Sequence, residues 1–324
     1  MKIFPLHILP NDTTIPFMRW RKLALAATLA LFVASIAIVA LKGFNYALDF
    51  TGGTLIELRF QKDADVENVR RKIADAGYAT VQVQNYGSAR DVLVRVQPQD
   101  IGNAESVAAN DKVAQDVLAA VADPGNPAAL ANEPTYVGPQ VGKDLALNGV
   151  YATIVILIGF IAYIAFRFEL KFAIAASLTA LFDLLLTVAY MSAIGHEFDL
   201  TVLAGLLSVM GFAVNDIIVV FDRVRENFRS LRVEPLEVLN RSINQTLSRT
   251  IITAVMFLLS ALALYLFGGS SMKGLALTHI VGAVIVVISS TFVACPLLTF
   301  GPLTVSKQDL LPKAKDLEAL NRRP

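Results

Sequence analysis

The sequence is poor in the residue types that carry out catalysis and bind metals. It holds one cysteine, Cys295, and three histidines in 324 residues. A single cysteine excludes an internal disulfide, and its position in an apolar run indicates a packing residue. Charged residues make up only 17% of the chain, and no phosphate-binding loop or nucleophile triad occurs. We therefore expect no enzymatic activity, no catalytic residue, no metal and no bound cofactor.

Long apolar runs dominate the rest of the chain. Hydrophobic residues account for 55% of it and the mean hydropathy is +0.57, which is too apolar for a soluble domain of this length. Six runs are long enough to cross a hydrocarbon layer of ~30 Å. They lie at residues 23–41, 150–166, 172–194, 200–221, 251–267 and 275–300. The sequence thus predicts a polytopic α-helical membrane protein with six transmembrane helices.

The distribution of basic residues predicts the orientation. Most of the 28 lysines and arginines lie near the two termini and in the loops after the second and fourth runs, whereas the two short loops on the opposite side hold only Lys273. The positive-inside rule then places both termini in the cytoplasm. The first run could instead be a signal peptide, but it is long for one and lacks a small-x-small cleavage site after Leu41. We therefore predict an uncleaved anchor.

Residues 42–145, between the first and second runs, have the pattern of a folded α+β domain. Strands are predicted at 55–60, 79–84, 91–96 and 134–140, and helices at 65–76 and 103–121. The order β-α-β-β-α-β is that of a ferredoxin-like split βαβ unit. Because the segment contains neither histidine nor cysteine, we expect a binding or docking module on the outer face of the membrane and not an enzyme site.

The domain organisation follows from these patterns. It comprises a cytoplasmic tail at the membrane surface (1–19), helix 1 (20–41), the periplasmic domain (42–145), the bundle of helices 2 to 6 (146–300) and a cytoplasmic C-terminal tail (301–324). Just before the first predicted strand, a glycine pair stands in Asp49-Phe50-Thr51-Gly52-Gly53-Thr54. Chain geometry alone predicts a simple turn there.

An acid within the fourth apolar run is the strongest functional signal. Asp216 lies at lipid depth, and at 100° per residue it shares one helix face with Ser208, Asn215 and Asp222. An ionised carboxylate near the bilayer centre costs about 2.5–3.5 kcal/mol, which favours a place on an ion or substrate path. A structural polar contact between helices is the alternative.

A second acid and an arginine complete a small intramembrane cluster. Asp183 lies near the middle of the third run, and the same two interpretations apply to it. A polar strip on the helix of the fifth run carries Ser242, Gln245, Thr246, Arg249, Thr253 and Ser260. Arg249, at the edge of the apolar run, either pairs with an acid or snorkels to lipid headgroups. Because a nearby guanidinium opposes proton binding by a carboxylate, moving Arg249 relative to Asp216 would load and unload a proton.

Three motifs together resemble a known family. They are Asp49 to Thr54 (DFTGGT), Val214-Asn215-Asp216 through Asp222-Arg223-Val224-Arg225-Glu226-Asn227, and Gln245-Thr246-Leu247-Ser248-Arg249-Thr250. Their order and spacing resemble the SecF branch of the bacterial SecD/SecF family, within the resistance-nodulation-division superfamily. The SecD branch has a much longer outer region. By this resemblance Asp216 and Arg249 match proton-linked positions and Asp183 matches an acid that often follows histidine, where this chain has Phe182.

The resemblance implies an accessory subunit that couples proton-motive force to preprotein translocation and release on the periplasmic side of the bacterial inner membrane. Implied partners are SecD, the SecYEG channel, YajC, translocating preproteins and membrane lipids, with no nucleic acid. Half of a proton-driven small-molecule efflux transporter is one alternative, which would require an aromatic-lined pocket in the outer domain. A purely structural assembly subunit is the other.

Overall fold

The computed structural model describes residues 13–78, 81–86, 88–97 and 107–306. The chain forms two compact units. The first, the bundle, comprises the described residues up to Phe44, Thr153–His196 and those from Thr201 on. The second, the sheet unit, comprises Asn45–Ala152 and Glu197–Leu200. The sheet unit therefore extends past the predicted boundary at residue 145 and includes a short loop from between the third and fourth apolar runs.

Helices carry most of the described chain. In order they are α1 Arg21–Lys42, α2 Leu48–Thr51, α3 Val66–Asp75, α4 Val107–Ala120, α5 Pro139–Arg167, α6 Leu170–Ala193, α7 Leu200–Ser230, α8 Pro235–Phe267, α9 Lys273–Ser289 and α10 Cys295–Leu297. Within the described ranges, six helices are long and apolar enough to cross a membrane, namely α1 and α5 to α9. The prediction of six spans is confirmed.

Proline and glycine set the ends of the helices in the second half of the bundle. Pro235 lies in the first turn of α8, where its missing N–H needs no partner, and the helix runs unbroken to Phe267 before Gly268. Helix α9 passes into a π-helical segment, Ser290–Ala294, and the chain leaves helical geometry shortly after Pro296.

Helices α6, α7 and α9 form the buried centre of the bundle, and α1 is the most exposed of the six spans. Two glycines allow α7 and α9 to approach closely. A Cβ on Gly282 would lie 2.4 Å from Val209 Cγ2, and one on Gly205 would lie 2.9 Å from Thr278 Cβ. Small residues at such contacts are typical of transmembrane packing, where van der Waals contact replaces the hydrophobic effect.

The segment before α1, expected to lie at the membrane surface, packs on the bundle from Thr13 onward. The backbone N–H of Ile15 donates to Asn244 Oδ1 at 2.9 Å, and Asn244 Nδ2 donates back to the Ile15 carbonyl at 2.9 Å. Phe17 and Met18 are buried, with the Phe17 ring set edge-on against Phe292. Residues 1–12 and 307–324 of the two expected tails lie outside the described residues.

The sheet unit is built on an antiparallel sheet. Its strands are β2 Gly53–Phe60, β3 Gln82–Tyr86, β4 Ser88–Val96, β5 Ala128–Leu130 and β6 Thr135–Val137. Their order is β3-β4-β2-β5, and β6 also pairs with β2. A hydrophobic core that includes Ile56, Val94, Ile73 and Val117 packs the sheet against α3 and α4. The last predicted strand, 134–140, is shorter than expected because α5 already begins at Pro139.

The glycine motif is more elaborate than the turn expected from the sequence. Strand β1, Asn45–Tyr46, pairs in parallel with β7, Glu197–Phe198. In the chain, β1 is followed by a helical turn, α2. Gly52 and Gly53 then adopt φ values of 70° and 121°, which favour glycine. A Cβ on Gly142 of α5 would lie 2.9 Å from the Gly52 backbone nitrogen. The motif thus serves a close approach between two backbones, which no local pattern could reveal.

Candidate functional site

Four helical segments of the bundle bring polar side chains together. Asp183 comes from α6, Asp216 from α7, Thr250 from α8, and Ser289 and Ser290 from the point where α9 becomes π-helical. All five side chains are buried, and the two acids are only 1% and 3% exposed. Buried groups of this kind, set at membrane depth among apolar helices, require hydrogen-bond partners or a function.

Asp216 is only partly satisfied. The Thr250 hydroxyl donates to Asp216 Oδ1 at 2.7 Å. Ser290 lies beside the same carboxyl group, but its hydroxyl donates to the Val287 carbonyl at 3.2 Å. Asp216 Oδ2 has no hydrogen-bond partner in the described part of the chain. One oxygen is therefore held by Thr250, and the other is left without a donor among the described residues.

Asp183 is less satisfied still. Neither of its carboxyl oxygens has a hydrogen-bond partner among the described residues. Ser289 lies beside Asp183, but its hydroxyl donates to the Val286 carbonyl at 3.1 Å. Asp216 is close enough to interact electrostatically with Asp183. The two acids that the sequence pointed to therefore belong to one site.

The π-helical segment lies beside this site. Such segments are rare, open the regular i to i−4 hydrogen-bond ladder and occur often at functional positions. Ser290 begins the segment, and Ser290, Thr291, Val293 and Ala294 are buried within the bundle. The irregularity thus adjoins the two hydroxyls that lie next to the acids. Thr250, Ser289 and Ser290 were not predicted as site residues from the sequence, where the adjacent hydroxyl pair before Pro296 was the available signal.

Arg249 points away from the acids. Its side chain is exposed, and it makes no ion pair among the residues that the structure describes. Successive helical residues are 100° apart, so Thr250 faces the Asp216 carboxyl while Arg249 does not. The Thr253 hydroxyl donates to the backbone carbonyls of Arg249 and Thr250, both at 3.0 Å. Thr253 therefore contacts the backbone of this turn of α8 and not the acids.

The polar face predicted for α7 divides into two parts. Asp216 is turned into the bundle, whereas Ser208 and Asn215 are exposed. An arc of more than 100° on a helix can face two different surroundings, which explains the division. The polar stripe comprises the exposed polar side chains of α7 and α8, namely Ser208 and Asn215 of α7 and Gln245 and Arg249 of α8.

Asp222 belongs to a separate ion-pair cluster at the far end of α7. Its Oδ2 lies 3.0 Å from Arg167 Nη2 and its Oδ1 lies 3.8 Å from Arg225 Nη1. Arg225 is also 3.6 Å from Glu169, and its guanidinium lies over the Phe168 ring at 5.3 Å. These contacts tie the loop between α5 and α6 to α7, so Asp222 acts there and not beside Asp216.

Within the sheet unit, the glycine motif meets the short loop 197–200. Asp49 Oδ2 accepts a hydrogen bond of 3.1 Å from the backbone N–H of Leu200, the first residue of α7. Arg95, 3% exposed, donates to the Tyr46 carbonyl at 3.0 Å and to Gln82 Oε1 at 2.9 Å, and it forms an ion pair with Glu197. The burial of Arg95 could not be predicted from the sequence, because the alternation of polar and apolar residues in a strand does not show which charged residues form ion pairs.

Family comparisons agree with this arrangement. The family described as "Protein export membrane protein SecD/SecF, C-terminal" matches residues 117–301, and the "SecD/SecF GG Motif" matches residues 37–64. The protein translocase subunit SecF of Pseudomonas aeruginosa is 44% identical over 305 residues, covering 94% of this chain and 96% of the relative. That of Escherichia coli O157:H7 is 39% identical over 282 residues, covering 87% and 86%.

Solved structures show the same fold. The crystal structure of SecDF from Thermus thermophilus, a translocon-associated membrane protein, is similar with a TM-score of 0.79 at 34% identity. The match covers 90% of this chain and 39% of that one, so the present chain spans about two fifths of its length. SecDF in a super-membrane-facing form has a TM-score of 0.65, also at 34% identity. The chain belongs to the SecD/SecF family of protein export membrane proteins.

Proposed function

We propose that this chain is an accessory subunit of Sec protein export that couples proton-motive force to preprotein translocation and release on the periplasmic side. The observation that carries the proposal is the state of Asp216, which is buried, held through one oxygen by Thr250 and without a partner for the other among the described residues. Asp183 beside it is a second buried acid. A purely structural contact would satisfy both oxygens, whereas a proton carrier must keep one without a fixed partner so that it can bind a proton.

The proposed cycle moves a proton through Asp216. In the arrangement described here Thr250 contacts the acid and Arg249 is turned away, a state suited to holding a proton. A movement of α8 that brings the guanidinium to the carboxyl would favour the anion and release the proton. One charge crossing ~150 mV contributes about 3.5 kcal/mol, which shifts a two-state equilibrium a few hundred-fold. Asp183 is the second member of the relay.

SecD is the proposed partner of the polar stripe. Exposed polar side chains at membrane depth are costly against lipid, so Ser208, Asn215 and Arg249 call for a protein surface. The solved SecDF relatives, of which this chain matches about two fifths, support that assignment. The complex would also contact the SecYEG channel and YajC in the bacterial inner membrane. Protons are the coupling ion, and no enzymatic step or cofactor is proposed.

The sheet unit is proposed to lie in the periplasm, with both chain termini in the cytoplasm. The strand order β3-β4-β2-β5, with two helices against the sheet, supports a ferredoxin-like arrangement. Its role would be to contact the emerging preprotein. The parallel pair β1–β7 and the bond from Leu200 to Asp49 lie within this unit, and the chain continues from Leu200 into α7, the helix that carries Asp216.

Export into sealed vesicles, with and without a proton gradient, tests the proposal. Asp216→Asn should assemble with its partners yet lose the stimulation by the gradient, and Asp222→Asn is the matched control. Arg249→Lys keeps the charge but loses the planar guanidinium, so it should have a partial defect. Full gradient response in Asp216→Asn would refute proton coupling at this residue. Wild-type response in Arg249→Ala would show that Arg249 only snorkels.

A further inference from the structure

An apolar groove opens on the surface of the bundle between α1, α6 and the α9 end. It encloses about 380 Å³ and is lined by residues that include Trp20, Leu23, Ala27, Phe182, Ile288 and Phe292. The hydroxyl of Thr28, which also lines it, donates to the Ala24 carbonyl of its own helix at 2.9 Å. Apart from the indole N–H of Trp20 at one end, the lining side chains therefore offer apolar contact.

The length of the groove matches one leaflet of a bilayer. Its wall begins at Trp20, just before α1, and follows that helix to Leu31. At 1.5 Å per residue this is about 16 Å, roughly half of the ~30 Å hydrocarbon core. The short side chains of Ala24 and Ala27 leave space along this wall, and the larger Leu23 and Leu31 also line it. A single extended acyl chain fits such a channel, with its polar end near Trp20.

The residues next to Trp20 in the chain, at one end of the groove, are basic. Arg19, Arg21 and Lys22 flank Trp20, and no aspartate or glutamate occurs between residues 13 and 42. These three cations form no ion pair within the described ranges of the chain. Tryptophan and basic residues mark the headgroup level of a membrane, and basic clusters there attract anionic lipids. Charge complementarity thus favours a phospholipid with a net negative headgroup.

We propose that this groove binds one acyl chain of an anionic phospholipid from the leaflet on the N-terminal side, with the phosphate held by Arg19, Arg21 and Lys22. The chain would pack against Phe182, the neighbour of Asp183, and against Phe292 in the π-helical segment. The occupant therefore supports the two helical regions that hold the acid site. This proposal requires insertion in a membrane but does not depend on proton coupling.

Tryptophan fluorescence tests the proposal, because Trp20 is the only tryptophan in the chain. The full-length protein is placed in phosphatidylcholine nanodiscs that contain a minor fraction of chain-brominated lipid, either phosphatidylglycerol or phosphatidylcholine. The readout is the ratio of quenching by the two lipids, which removes the effect of depth. We expect phosphatidylglycerol to be enriched at Trp20 at least about fivefold, the factor that one basic residue near an anionic surface supplies.

Two variants and one reporter control make the result specific. In Trp20→Phe/Leu29→Trp the reporter moves to an exposed position of α1 outside the groove, where the ratio should be near unity. Arg21→Gln/Lys22→Gln should abolish the preference but keep quenching by brominated chains. Ala27→Phe fills the groove and should lower quenching of Trp20 by both lipids.

Three results would overturn the proposal. The first is equal quenching of Trp20 by the two brominated lipids. The second is no quenching of Trp20 by either lipid, which would mean that protein covers the groove, and the third is that Ala27→Phe leaves the quenching of Trp20 by both lipids unchanged. Matching elution profiles and helical circular dichroism establish that the variants are folded.

Discussion

The hydroxyl of Thr250 lies 2.7 Å from a carboxyl oxygen of Asp216, so α8 already contacts the buried acid of α7. Arg249, the preceding residue, is exposed on another side of α8. Because neighbouring residues differ by 100° in direction, a rotation of α8 by about one residue would replace the hydroxyl with the guanidinium. In the proposed cycle threonine and arginine would be alternative partners for one acid, and their exchange would be its elementary step.

Thr250→Val should weaken gradient-dependent export several-fold. Valine keeps the volume of threonine but removes the donor to Asp216, while the stability of the bundle should change by only about 0.6 kcal/mol, the average for a transmembrane hydrogen bond. Thr250→Ser should restore coupling. The matched control is Thr179→Val on α6, a buried threonine whose hydroxyl donates only to the Ala175 carbonyl of its own helix. Equal loss of export in the control would mean that threonine packing, and not the bond to Asp216, is responsible.

Gly282→Ala should destabilise the bundle by about 1–3 kcal/mol, the usual cost of overpacking. The added Cβ would lie 2.4 Å from Val209 Cγ2 and force α7 and α9 apart. Thermal unfolding in detergent measures the effect. Gly211→Ala on the exposed side of α7, where a Cβ meets no atom within 4 Å, should be as stable as the parent or slightly more so. Similar unfolding temperatures for the two variants would contradict the close packing of α7 and α9.

Asn244→Ala should release the segment before α1 from α8. The amide makes reciprocal 2.9 Å bonds with the N–H and carbonyl of Ile15, and each lost bond costs about 1 kcal/mol. The expected result is faster proteolysis near residues 13–16 and a lower unfolding temperature. Asn215→Ala replaces an exposed asparagine on α7 and serves as the control. Unchanged proteolysis in Asn244→Ala would show that the buried Phe17 and Met18 suffice to anchor the segment.

Arg95→Met should destabilise the sheet unit by about 3 kcal/mol, the lower end of the usual cost of removing one partner of a buried ion pair, because Glu197 keeps its hydrogen bond from Gln84. Glu197 would lose its guanidinium and the Tyr46 carbonyl would lose a donor. Arg59→Met, in the exposed pair with Asp91, should change stability by less than about 1 kcal/mol. Urea unfolding followed by pulse proteolysis compares the two. A double variant with Glu197→Gln that is no less stable than Arg95→Met alone would confirm their coupling.

Features that depend on continuous apolar runs of the sequence could be predicted from it. Six apolar runs gave six spans, and the burial of Asp183 and Asp216 followed from their depth. The direction of the Arg249 side chain could not be predicted, because a polar arc on a helix does not show which of its residues face the other helices of the bundle and which are exposed. Thr250 escaped notice because hydroxyl groups are common in transmembrane helices and mostly bond to their own backbone.

Contacts between distant parts of the chain were also beyond the sequence analysis. The bonds from Asn244 to Ile15 and the approach of Gly142 to Gly52 join segments with no shared periodicity. The same holds for the pairing of Arg95 with Glu197. Each depends on the folded arrangement of its unit, which hydrophobic periodicity specifies only in outline.

Infrared difference spectroscopy on the reconstituted complex tests most directly whether Asp216 takes up and releases a proton. A protonated carboxyl group has a carbonyl stretch that disappears on ionisation, so imposing and collapsing a proton gradient should produce a reversible band in this region. We predict that Asp216→Asn abolishes the main band and that Asp222→Asn leaves it intact. An unchanged band in Asp216→Asn would contradict the account, because the proton would then be carried elsewhere.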